Sequence, residues 1–244
     1  MLSLISIAIL SYLAGAIPTS IILSKLLRGI DIRDYGSGNA GGTNTIRILG
    51  WKIGTAVILV DVGKGVLATL LVSRLRIDSV PLTPDMLQII AGSCAIIGHI
   101  WTLFAGFRGG KGVATGAGML FSLYPVAGLI CLVIFASLLL LVRIVSVSSM
   151  VTAISLPIVI LIMNKFMNYS ISNELLYFSI FAAALIVCTH RSNIKRLIKG
   201  EELPFKRINY DNRNLQSNFN PEDAQSDTKK SRSQDDSGLK KVSS

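Results

Sequence analysis

The chain has 244 residues, 51% of them apolar and 16% charged, with a formal net charge of +10. A soluble domain carries about 25% charge, and here twelve of the 24 Lys and Arg and eight of the 14 Asp and Glu fall in residues 191–244 alone. The rest of the chain is too poor in charge for a water-soluble core and suits a bilayer, where a mid-membrane charge costs about 2.5–3.5 kcal/mol on insertion scales.

The positive balance does not point to nucleic acid. The basic residues sit between and after the apolar stretches, where cytoplasmic loops of membrane proteins carry them. Cys94, Cys131 and Cys188 lie in apolar runs without paired spacing, so neither a disulfide framework nor a metal site is expected.

Apolar stretches run over 2–27, 51–73, 84–105, 113–142, 145–164 and 174–190. The first mimics a secretory signal but has no basic start and runs on to Leu27, so it reads as a retained transmembrane helix. Five stretches match one span of about 20 residues. The stretch 113–142 is too long for one straight helix and too short for two full ones, and Tyr124-Pro125 near its middle ends or kinks a helix.

The polar loops are 28–50, 105–112 and the region after 190. With all three in the cytoplasm, the N-terminus lies outside and 113–142 crosses and returns, giving seven helices. A single crossing gives six and leaves the basic C-terminal cluster outside, which the positive-inside rule disfavours. The expected fold is an all-α, polytopic transmembrane helix bundle of about seven helices over 1–208. A polar tail, 209–244, has too few apolar residues to bury and is expected to be disordered.

The first polar loop contains Asp31-Ile-Arg-Asp-Tyr-Gly-Ser37-Gly38-Asn39-Ala-Gly41-Gly42-Thr43-Asn44-Thr-Ile-Arg47. Its glycines free the backbone to expose amide donors, and Ser37, Asn39, Thr43, Asn44 and Arg47 add side-chain donors, a composition suited to phosphate or carboxylate. Gly36 to Gly41 formally match G-x-G-x-x-G, with Asp61 twenty residues on. No strand precedes the match and Asp61 lies in an apolar helical pattern, so a dinucleotide fold is rejected. Asp61 and Lys64 share a helical face and are expected to neutralise one another inside the bundle, a structural role.

The second loop reads Gly98-His99-Ile-Trp101-Thr-Leu-Phe-Ala-Gly-Phe-Arg108-Gly109-Gly110-Lys111-Gly112-Val-Ala-Thr115. A glycine-rich turn opening a helix is a ready anion site, to which Arg108 and Lys111 add charge. Ala105 and Gly112 stand where the ATP-binding P-loop needs glycine and a hydroxyl, so the pattern speaks for phosphate and against ATP.

The third loop reads Thr189-His190-Arg191-Ser-Asn193-Ile-Lys195-Arg196-Leu-Ile-Lys199-Gly200-Glu201-Glu202. His190, Asn193 and Arg196 share a helical face. A basic juxtamembrane cluster also suits lipid headgroups, while histidine titrates near neutrality and suits proton handling. The H-x-x-x-x-D pattern of another acyltransferase class is absent: Phe104 and Lys195 occupy the aspartate position after the two histidines.

Taken together, GSGNAGGTN…R, GHIW…FRGGKGVAT and HRSNIKRLIKGEE resemble the PlsY family, bacterial acyl-phosphate:glycerol-3-phosphate acyltransferases, over about residues 1–205. Gly42 departs from the usual alanine or serine, and Thr102 from a usual proline; both bear on loop geometry. The resemblance implies transfer of an acyl group from acyl phosphate to the 1-hydroxyl of glycerol 3-phosphate, giving lysophosphatidate and phosphate, without metal, cofactor or acyl-CoA. It implies a seven-helix bundle in the bacterial cytoplasmic membrane, N-terminus outside and motif loops and C-terminus cytoplasmic. It puts the catalytic serine and arginine at Ser37 and Arg47, a histidine and asparagine at His190 and Asn193, the phosphate loop at Gly109, Gly110, Lys111 and Gly112, and a structural glutamate at Glu202. Gly38, Asn39, Thr43, Asn44 and Arg108 are further candidates for substrate binding. The proton of the acceptor hydroxyl would go to His190 or to a substrate phosphate. An organic-phosphate transporter is the rival reading, but its site belongs near the midplane between repeated halves, and no repeat is evident.

Overall fold

In the computed structural model, residues 1–166 and 171–205 are described. Their regular structure is entirely helical: α1 (Leu2–Ala16), α2 (Thr19–Arg28), α3 (Gly42–Leu49), α4 (Trp51–Leu70), α5 (Pro84–Ile100), α6 (Val113–Leu123), α7 (Pro125–Val142), α8 (Val145–Phe166), α9 (Asn173–Thr189) and α10 (Arg191–Ile198), with three short 3-10 turns between them. The expected tail at 209–244 lies outside the described residues.

Local chemistry sets the boundaries. Pro18 separates α1 from α2, and α2 ends at Gly29 in the left-handed conformation, φ 68°. Thr83 caps α5 by accepting from the Met86 amide, with Pro84 in the first turn, the position where proline's missing N–H costs nothing. Ser172 caps α9 in the same way. Pro157 stands inside α8, a placement membrane helices tolerate when neighbours re-satisfy the freed carbonyl.

Five helical segments are long and apolar enough to cross a bilayer: Leu2–Arg28, Trp51–Arg74, Pro84–Ala105, Pro125–Val142 and Val145–Phe166. The bent pair α9 and α10, turned by 57°, makes a sixth if taken as one span. The stretch 113–142 is two helices, broken at Tyr124. With 11 residues, α6 is only about 16 Å long, about half the hydrocarbon thickness, and so falls short of the seventh full span expected from the sequence. The two ends of the pair nevertheless come together. Lys111 before α6 and Ser146 after α7 line one cavity. The opposite end of the bundle is closed by the N-terminus, where the Met1 ammonium and the Leu2 and Ser3 amides all meet the Asp78 carboxylate.

Close approach between helices depends on small residues, as expected where lipid removes the hydrophobic drive between them. A Cβ added to Gly65 or Gly118 would overlap the backbone carbonyls of Thr115 and Val62, so α4 and α6 cross almost in backbone contact. Gly15 and Gly98 do the same for α1 and α5. Leu140 and Leu141, 79% and 81% exposed, are among the apolar side chains that face outward, the reverse of a soluble core.

Alanine at Gly65 or Gly118 is therefore expected to force α4 from α6 and lower stability by about 1–3 kcal/mol, the usual cost of overpacking. A drop in thermal unfolding temperature of the detergent-purified variants checks this; unchanged melting would contradict the close crossing.

Candidate active site

The first loop is built around one amide side chain. Asn44 is 1% exposed; its Oδ1 accepts the Ser37 amide at 2.9 Å, and its Nδ2 donates to the carbonyls of Ile32 and Tyr35 at 3.1 and 2.9 Å. Both donors of Asn44 are thus committed to the loop. Asn44, expected to bind substrate, shapes the turn that presents Ser37 and also stands on the cavity wall. Asp31 accepts from the amide, Nε and Nη2 of Arg33, and Arg33 Nη1 donates to the Ala105 carbonyl at 2.8 Å, bolting the first loop to the second. α3 begins at Gly42, so Asn39, Gly41, Gly42 and Thr43 stand at a helix N-terminus on the cavity wall, where free amides and the helix dipole favour anions. Arg47 follows one turn on, 5% exposed, donating to the carbonyls of Leu203 and Pro204 at 2.8 and 3.3 Å, while its Nε has no partner.

The second loop brings a second helix N-terminus. Gly112, φ 82°, caps α6, and the first amides of α6 lack intrahelical acceptors. Lys111 Nζ donates to Asn193 Oδ1. Burial pushes the Lys111 ammonium down to about 8; Glu202 opposes the shift, and the Arg196 and Arg47 charges add to it. Gly109 and Gly110 contribute no free amide: their N–H groups donate to the Ile100 and His99 carbonyls, both at 3.0 Å. These two glycines were expected to cradle phosphate. They lie instead against His99, Gly110 buried and Gly109 half-buried, and neither lines the cavity. Arg108 is exposed and does not line it either. Gly38 lies just outside, its positive φ of 71° turning the chain.

The third loop supplies the hub. His190 ends α9, with Nδ1 2.7 Å from the Ile186 carbonyl. A carbonyl only accepts, so Nδ1 carries the proton, and in the neutral ring Nε2 is left as the acceptor. Glu202 is gripped from three sides: Asn193 Nδ2 and Ser146 Oγ donate to Oε1 at 2.5 and 2.7 Å, and Arg196 Nε donates to Oε2 at 2.8 Å. Burial raises the Glu202 carboxyl, but the hydrogen bonds from Asn193, Ser146 and Arg196 outweigh it and hold it below the ordinary carboxylate value. Arg47, Lys111 and Arg196 thus surround a single carboxylate.

These groups open on one cavity of about 430 Å³. Ser37, Asn39, Thr43, Asn44, Arg47, Lys111, Gly112, His190, Asn193 and Glu202 line its polar end, with side chains of α6, α7, α8 and α9 forming a long apolar remainder. Asp61 and Lys64 pair at 2.6 Å, both about 95% buried; Asp61 touches the cavity and Lys64 does not. Sequence reasoning passed over Ser146, Ser149 and Thr152 on α8, which also line it. The run Ser146-Val-Ser148-Ser149 at the start of an apolar helix was the available signal.

A multi-pass membrane bundle with a cavity that joins a cationic, amide-rich end to an apolar remainder has the chemistry to take a phosphorylated head and a hydrocarbon tail. The sequence model of the glycerol-3-phosphate acyltransferase family matches residues 5–200. Glycerol-3-phosphate acyltransferases of Chlorobium phaeobacteroides (strain BS1) and Chlorobaculum tepidum are each 45% identical, over 83% and 86% of this chain and 96% and 100% of theirs. Crystal structures of PlsY (YgiH), an integral membrane glycerol 3-phosphate acyltransferase, superpose with a TM-score of 0.72 for the glycerol 3-phosphate form (33% identity, 89% of this chain, 100% of that one). The lysophosphatidic acid form gives 0.69 (34% identity, 83% and 95%). The chain belongs to the glycerol-3-phosphate acyltransferase family, the integral membrane PlsY enzymes of phospholipid biosynthesis.

Proposed function

We propose that the chain transfers the acyl group of an acyl phosphate to the 1-hydroxyl of glycerol 3-phosphate, releasing lysophosphatidate and inorganic phosphate. The observation that carries the reading is the charge balance of the cavity: Arg47 and Lys111 line it, while the two carboxylates on its wall, Glu202 and Asp61, are already paired with Arg196 and Lys64, leaving an excess of positive charge suited to phosphate beside an apolar remainder suited to an acyl chain. The resemblance to PlsY supplies the donor class.

In the proposed reaction the glycerol oxygen attacks the acyl carbonyl, a C–O bond forms, the bond to the phosphate oxygen breaks, and phosphate leaves. The donor is an activated mixed anhydride, so positioning and charge stabilisation supply most of what the enzyme must add. Lys111 and the α6 amides would hold one phosphate, and Arg47 with Asn39 and the α3 amides the other. Ser37 and His190 would orient the reacting hydroxyl or carbonyl. The hydroxyl proton passes to His190 Nε2 or to a substrate phosphate. For Arg47 to reach a substrate, its bonds to Leu203 and Pro204 must give way or share. The transporter reading has less support, because the donors gather at helix ends and not at a midplane break.

Purified protein given acyl phosphate and labelled glycerol 3-phosphate should make labelled lysophosphatidate; a folded sample that makes none, in bilayer and in detergent, rules the reaction out. With Lys111 pushed down to about 8, its positive charge is present below that pH and lost above it. The free-enzyme kcat/KM for the phosphate that it holds should therefore fall as pH rises through about 8. In Lys111→Arg, which stays protonated, that alkaline fall should disappear; an identical profile in both would remove Lys111 from phosphate binding.

We place the mouth of the cavity on the cytoplasmic side of the bacterial cytoplasmic membrane, with the N-terminus outside, from the basic residues of the three loops. Reporter fusions after Arg47, Lys111 and Gly200 should all read cytoplasmic, and one reading outside would overturn the topology.

A further inference from the structure

The glycines before Lys111 raise a question the anion site does not answer, since neither offers a free amide. Gly109 and Gly110 lie in a slot formed by His99 and the Ile100 carbonyl. The Gly110 amide donates to the His99 carbonyl and the Gly109 amide to the Ile100 carbonyl. A Cβ at Gly109 would overlap the His99 carbonyl oxygen, and a Cβ at Gly110 would overlap Nε2 of the His99 ring. His99 is itself 8% exposed and has a buried ion pair as its neighbour. Its Nδ1 lies 3.7 Å from Asp61 Oδ1, and Asp61 accepts from Lys64 at 2.6 Å. Lys64 also donates to the Ile17 carbonyl at 2.6 Å, which anchors the set to the α1–α2 break.

We propose that His99 is a positioning residue for Lys111, acting through the Gly109–Gly110 segment laid against its ring and carbonyl. The Asp61–Lys64 pair on α4 lies beside the imidazole, the imidazole limits how near the chain at Gly110 comes to α5, and that separation sets where the next residue, Lys111, leaves for the cavity. Glycine is required at both positions because the slot has backbone thickness only. The inference rests on the assignment of Lys111 to a phosphate in the proposed function.

The test is a kinetic cycle in the acyl phosphate assay, with KM measured for both substrates. Lys111→Ala identifies which substrate Lys111 holds, by raising its KM. His99→Ala should raise the KM of that same substrate by about tenfold and change kcat by about twofold or less, a shift of the size a sub-ångström misplacement produces. Gly110→Ala should cost about tenfold in the native background and about twofold or less when combined with His99→Ala, since the ring it collides with is gone; contacting residues show such non-additivity. Gly109→Ala meets the His99 carbonyl, which every side-chain variant retains, so its penalty should be the same in both backgrounds. Independent, multiplying penalties for Gly110→Ala and His99→Ala would overturn the proposal, as would a His99→Ala effect confined to kcat or to the other substrate. If His99→Ala does not fold, His99→Asn keeps a polar group toward Asp61 while withdrawing the ring edge from Gly110, and the same outcomes decide. If the wild-type chain transfers no acyl group, the proposed function fails by itself. The same cycle read as Kd for glycerol 3-phosphate then decides the positioning role: coupling supports it, and its absence overturns it.

Discussion

Glu202 is one carboxylate facing Lys111, Arg47 and Arg196, and the cavity mouth is organised by that imbalance. Opposed cations held close in a partly dehydrated site repel one another, and each needs a fixed partner to stay. Arg196 has Glu202, Lys111 has the neutral oxygen of Asn193, and Arg47 has two main-chain carbonyls. None of the neutral partners cancels a charge. The mouth keeps a positive surplus that only an added anion can balance; burial above all, with a smaller push from Arg196 and Arg47, lowers the Lys111 ammonium against the pull of Glu202. The same requirement explains why residues 201–205 lie across the mouth: they supply Glu202, the carbonyls under Arg47, and the Phe205 ring stacked edge-on against Trp51 at 5.2 Å.

Keeping this cluster at one end of a bundle embedded in lipid imposes conditions elsewhere. Charge within the spans must be neutralised in place, as Asp61 and Lys64 do within one helical turn. Helices must meet without a hydrophobic drive, which is why Gly65 and Gly118 bring α4 and α6 into backbone contact. That contact seats the N-terminus of α6, and with it Gly112, beside the loop that leads into α3. The halving of 113–142 at Pro125 follows the same need. A short α6 and its returning partner α7 leave a slot among α6, α7, α8 and α9 that a full-length span would fill.

Gly42 and Thr102 show how loop geometry is kept. A Cβ at Gly42 would overlap the Ile58 side chain of α4, so Ile58 occupies the space that an alanine or serine there would take. Thr102 donates its hydroxyl to the Ala16 carbonyl, a bond a proline there would lack the donor to make. It ties the second loop to the end of α1, next to the carbonyl that Lys64 holds.

Sequence alone determined the all-helical membrane character, because twenty-residue apolar runs and the shortage of charge leave no other solution in lipid. It also singled out three polar loops, because glycines, amides and cations so concentrated have no place in a span. Tertiary structure decided which of those residues do what. Gly109, Gly110 and Asn44 have the composition of phosphate binders, yet their donors are consumed by His99, Ile100, Ile32 and Tyr35, partners fixed only by how the loops fold back on α5 and α3. Ser146 stands 35 residues from Lys111 in the sequence and 56 from the Glu202 it bonds; no local period relates them. Local pattern fixes what a residue can offer, and only packing decides whether that donor faces its own backbone or the cavity.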